Sequence, residues 1–129
     1  MADYGFSKTI AVPYETAVEK VTAVLKEEGF GVLTTIDVKD TLKKRLGVDF
    51  RKYVILGACN PPLAYKTLQA EIEIGLLLPC NVIVYENDEG KSVVSAIDPL
   101  MMVSIVENSA LEEIAKEVSA KLRDAIENL

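Results

Sequence analysis

Histidine is absent from the 129 residues, and so is tryptophan. Without histidine, a single chain cannot build a Ser-His-Asp triad, a Cys-His dyad, a histidine-rich metal site or histidine acid–base catalysis. The chemistry left open belongs to Cys, Asp, Glu, Lys, Tyr, Ser, Thr and the backbone. Cysteine is scarce too. The two that occur, Cys59 and Cys80, are too few for the disulfide framework of a secreted domain, and in a reducing compartment they are thiols or a labile pair. Cationic excess is also missing: the net charge is −6, whereas a phosphate-backbone binder needs clustered Lys and Arg, so nucleic acid is not an expected partner. No apolar run approaches the ~20 residues of a membrane span. The opening MADYGFSKTI lacks the basic region and apolar stretch of a secretory signal, so a cytoplasmic protein away from the membrane is expected.

Half of the residues are apolar and 26% are charged, which suits one folded domain over residues 1–129 with a core of ordinary size. The most unusual part is residues 53–86, YVILGACNPPLAYKTLQAEIEIGLLLPCNVIVYE. It holds both cysteines, each followed by an asparagine, and three of the five prolines. Residues 53–59 form an apolar run of strand length ended by Cys-Asn-Pro-Pro, as expected of a central strand covered on both faces or nearly so. Asn60 can cap a helix and Pro61 fits its first position, so a short helix to about Ala70 is predicted. That places Cys59 beside a helix N-terminus, where unpaired N–H groups and the positive end of the dipole favour thiolate, while burial opposes it. The chain then passes Glu71 and Glu73, crosses Gly75 and three leucines, and reaches Pro79, Cys80 and a second strand over residues 81–86. If the two strands are antiparallel neighbours, Cys59 and Cys80 come within the ~7 Å Cα separation that permits bridging. The residues between them then cover one end of the sheet, where site residues are often carried.

Elsewhere the patterns are plainer. Residues 6–12 read as a first strand. Tyr14, Val18, Val21 and Leu25 share one face of a helix opened by Pro13 and stopped by Gly29. Residues 30–36 are β-branched and strand-like. Asp37 caps a short helix whose Val38, Leu42 and Leu46 are apolar and whose Lys39, Lys43, Lys44 and Arg45 form the one basic group in an acidic chain. A solvated face with cations near a helix C-terminus accounts for that group, and an anionic partner is the alternative. Residues 81–97 read as a hairpin turning at residues 87–90. Asp98 and Pro99 start a short turn or helix, in which Met101 and Met102 read as core filling, since no other soft ligand is near. Ser109 with Glu112 has the capping-box spacing and opens the strongest amphipathic helix, with Leu111, Ile114, Val118, Leu122, Ala125 and Ile126 on one stripe. The expected architecture is α+β in the order β-α-β-α-β-α-β-β-α: a two-layer sandwich of a largely antiparallel five-stranded sheet with two long helices on one face.

The segments EEGFGVLTTIDVKDTLKKRLGVDF, YVILGACNPPLA and IGLLLPCNVIVYE, and more weakly DPL and the final helix, resemble the family called domain of unknown function 302. The resemblance covers most of the chain. It implies a compact α+β fold resembling one half of the TATA-binding protein, a homodimer, and no established activity; fold analogy carries no DNA binding with it. The family motif includes Ala58, Cys59, Asn60, Pro61, Pro62, Leu77, Leu78, Pro79, Cys80 and Val82.

Two functional readings follow. In the first, the protein is a dimeric small-ligand-binding or assembly module, with the sheet and residues 76–78 burying an apolar ligand or a partner, and with Cys59, Asn60, Cys80, Asn81, Glu71 and Glu73 as candidate site residues. In the second, Cys59 and Cys80 do thiol-based redox, sulfur-carrier or soft-metal chemistry. Two cysteines fall short of tetrahedral zinc, so a metal would also need Glu71, Glu73 or a second subunit. Buried structural thiols account equally for both cysteines, and a further reading of Glu71 and Glu73 as a carboxylate pair for acid–base work yields to solvated charge, the usual state of loop glutamates. No residue set in the chain is a recognised catalytic constellation, and no cofactor is expected.

Overall fold

Period-two alternation resolves into five strands: β1 (Gly5–Ile10), β2 (Gly31–Asp37), β3 (Tyr53–Cys59), β4 (Cys80–Glu86) and β5 (Ser92–Ile97). They form one sheet in the order β1-β5-β4-β3-β2, with every neighbouring pair antiparallel. The structure is a computed structural model and describes residues 3–129. Among the described residues five helices accompany the strands: α1 (Tyr14–Glu27), α2 (Val38–Leu46), α3 (Pro61–Ala70), α4 (Leu100–Val106) and α5 (Leu111–Glu127). A 3-10 segment, Ile72–Leu77, follows α3. The 3-10 segment extends the order expected from sequence, and α4 follows Asp98-Pro99, where a short turn or helix is expected. The α+β, two-layer architecture is as expected, but the middle strand is β4, and β3 lies next to the edge.

One face of the sheet is apolar because alternate residues of neighbouring strands are in register. Val54 faces Val84, which faces Val94, and Leu56 faces Val82, which faces Ala96. All are buried, and α1 covers them with Ala17, Val21 and Leu25 while α5 adds Val118, Leu122, Ala125 and Ile126. Each valine, leucine or isoleucine among them contributes roughly 1.5–3 kcal/mol by leaving water, and each alanine less. The opposite face is mixed: Tyr53 and Tyr85 stack with ring centroids 5.4 Å apart, and the Ser7 and Ser95 hydroxyls lie 2.6 Å apart.

Helix ends follow local chemistry. Gly29, at φ 86°, lets the Phe30 N–H reach the Leu25 carbonyl and its own N–H reach that of Lys26, and Phe30 is thereby turned into the core. Asp37 Oδ1 accepts the Asp40 N–H at 3.0 Å, as its capping role predicts. The capping box at Ser109 and Glu112 does not form. Helix α5 begins at Leu111 with no side-chain cap, and Asn108 instead accepts the Ala110 N–H at 3.0 Å. An asparagine one residue upstream closes the turn first, which leaves the serine hydroxyl unused.

Candidate functional site

The site grows from the end of β3. Cys59 is its last residue and Asn60 the cap of α3, accepting the Leu63 N–H at 3.4 Å. The Asn60 amide donates in turn to the Glu28 carbonyl at 3.3 Å, tying the start of α3 to the end of α1. Gly29 permits this approach, since a Cβ there would stand 3.0 Å from Asn60 Nδ2. Residues 60–79 then cross the end of the sheet and return to β4, as expected of antiparallel neighbours. Their far side is anchored by Asn108, whose amide donates to the Ala70 carbonyl at 2.9 Å and to Glu71 Oε1 at 3.2 Å.

Between this excursion, the sheet end, α4 and α5 lies a cavity of about 380 Å³. Its walls run from Phe30 through Leu63 and Ile74 to Met102, Ala115 and Val118, and no lining residue is charged. The polar side chains present are mostly occupied: the Thr67 hydroxyl donates to the Leu63 carbonyl at 2.7 Å, and Asn60 is held at both ends of its amide. A volume of this size falls within the range of small-molecule sites, roughly 300–1,000 Å³.

Of the residues singled out from sequence, Cys59, Asn60 and Cys80 line this cavity together, and Asn81, Glu71 and Glu73 do not. Asn81 is exposed on β4, one residue past Cys80 and therefore on the other face. Glu71 holds Asn108, and Glu73 is exposed on the 3-10 segment. The leucine run divides similarly: Leu78 lines the cavity, whereas Leu76 is 85% exposed. Sequence reading missed the far wall, Met102, Val103, Ile114 and Ala115. The signal for α4 was present in LMMVSIV, a short helix with apolar residues on all sides.

Both cysteines are free. Cys80 pairs with Ala58 in the ladder, so Cys59 lies one residue diagonal to it, with a Cα separation of about 6 Å from strand spacing. The same register puts their β-carbons on opposite faces of the sheet, which opposes a direct bridge. Burial pushes the Cys80 thiol up to about 11, with Cys59 adding to the rise, so Cys80 is a neutral thiol at physiological pH. Among the described residues no group of three Cys, Asp or Glu side chains is placed to hold a metal ion.

The basic group on α2 is exposed and partly self-neutralised. Lys43 pairs with Asp49 at 3.1 Å, Lys44 with Asp40 at 2.9 Å, and Lys39 donates to the Phe50 carbonyl at 2.6 Å. Among the described residues no helix is long and apolar enough to cross a membrane.

Residues 6–129 match the family described as Domain of unknown function DUF302. The chain is also similar to the crystal structure of an uncharacterized conserved protein DUF302 from Bacillus stearothermophilus. The two are 31% identical over 98% of each chain, with a TM-score of 0.89. No curated protein matches the chain.

Proposed function

The chain belongs to the DUF302 family, and from that premise we propose that it is a homodimeric binding module for a small, neutral, apolar molecule. The observation carrying this reading is the cavity of about 380 Å³ without a charged side chain in its walls. A carboxylate or phosphate entering it would lose hydration with no cation in return, a cost of several kcal/mol, whereas an apolar guest gains ~25 cal/mol per Å² removed from water. Large apolar side chains left exposed, among them Leu33 and Ile36, support the second copy.

Titration with the neutral probe N-phenyl-1-naphthylamine tests the ligand reading. Saturable fluorescence enhancement is expected in the native protein, and its loss in Ala115→Phe, which fills the cavity from α5. Absence of saturable binding in a folded native protein would overturn it.

A second reading, thiol-based redox, sulfur-carrier or soft-metal chemistry at Cys59 and Cys80, is favoured by one observation: both cysteines are among the residues bordering the same cavity, although their side chains leave the sheet on opposite faces. It requires Cys59 to react first, because Cys80 is buried and protonated. Alkylation at neutral pH followed by peptide mass analysis decides the point. Cys59 labelled in minutes and Cys80 only in denaturant fits this chemistry; both inert until unfolding makes them structural thiols.

A further inference from the structure

Strand β2 is an edge without protection. Its single neighbour is β3, and six of its seven residues are exposed, with Leu33 at 68% and Ile36 at 49%. Natural edge strands are blunted by lysine, proline or a covering element, because their unpaired N–H and C=O groups otherwise recruit another strand. The other edge, β1, has such a cover: Lys8 reaches the Glu127 and Leu129 carbonyls at 3.0 and 2.8 Å, where the end of α5 lies over the strand. In β2, GVLTTID, there is no lysine or proline, and the one charge, Asp37, sits at the end. A register shift between Val32 and Thr34 bends the strand near its start, but Thr34 to Asp37 pair regularly with β3 and leave a straight outer edge.

We propose that β2 pairs antiparallel with β2 of a second copy across a two-fold axis near the middle of the strand, joining the two sheets into one. This specifies the seam of the homodimer proposed above and stands apart from the ligand reading. Charge complementarity supports this occupant. Antiparallel pairing brings the end of β2, where α2 begins, beside the start of β2 in the partner, where α1 ends at Glu27 and Glu28. Of the cations on α2, Lys43 and Lys44 already pair with Asp49 and Asp40, which leaves Lys39 and Arg45 for a partner, and among the described residues Arg45, Glu27 and Glu28 make no ion pair. The acidic end of α1 also carries the negative end of its helix dipole. By two-fold symmetry the basic-to-acidic contact occurs twice. Leu33 and Thr34 line the cavity, so the partner strand borders its mouth.

Light scattering of the native protein at tens of micromolar should give twice the mass of one chain. Leu33→Lys and Ile36→Lys, both at exposed positions, should give single-chain mass with an unchanged circular dichroism spectrum. Glu27→Lys/Glu28→Lys and Lys39→Glu/Arg45→Glu should each weaken self-association at least tenfold, and mixing the two variants should restore a dimer. A native protein with the mass of one chain overturns both the seam and the homodimer, whatever the probe titration shows. A dimer that survives both lysine substitutions overturns the seam alone.

Discussion

At Gly57 the sheet tolerates no side chain. A Cβ there would collide with Thr34 Oγ1 from the edge strand and stand 2.7 Å from Pro79 Cγ. The glycine therefore lets the returning excursion close against the sheet, one residue before the Ala58–Cys80 pair that opens the cavity. Gly57→Ala is expected to cost about 1–3 kcal/mol, the usual range for overpacking a filled site. Thr34→Ala, exposed and nearly neutral alone, should recover part of that loss in the double variant. Chemical denaturation of the four proteins measures this, and equal midpoints for native and Gly57→Ala would show that the site can relax. Neither side of the contact was legible in the sequence, because Gly57 reads there as one more small residue in an apolar run.

Among the elements, those with a clean period and a local stop were readable. Helix α1 shows its face at Val21 and Leu25 and its end at Gly29, and α2 its cap at Asp37 and its stop at Gly47. Asn60 and Pro61 likewise announced α3. Local hydrogen bonds within a few residues decide such features, so the chain order alone carries them. The 3-10 segment was not readable. Its fold-back depends on Asn108 holding Ala70 and Glu71, a contact spanning nearly forty positions. The capping box fails for a local reason: Asn108 competes for the same turn.

At the scale of the molecule, the buried Cys80 thiol links the cavity wall to global stability. Its ordinary value of 9.0 is raised to about 11 in the fold, so the folded state holds this proton more tightly than the unfolded chain. The resulting stabilisation is fully present below pH 9 and is lost as pH rises toward 11, on the order of 2–3 kcal/mol. Tyr14 and Tyr53 are raised by burial too and act in the same direction at higher pH. Urea unfolding between pH 8 and 11 should therefore show a falling stability whose slope is shallower in Cys80→Ala. Identical slopes would remove the thiol as the cause.

The sequence by itself determined the α+β class and most element ends, because periodicity and caps are encoded at short range; the meeting of Cys59, Asn60 and Cys80 at one end of the sheet followed from it only on condition that β3 and β4 pair antiparallel, which they do. Tertiary structure alone decided that β4 is central, that β2 is left as a bare edge, and that Asn81, Glu71 and Glu73 stand away from the cavity. The cavity draws Phe30, Leu63, Ile74, Met102 and Val118 together from across the chain. Such an assembly is set by how helices pack on a finished sheet, and no spacing within any one segment records it.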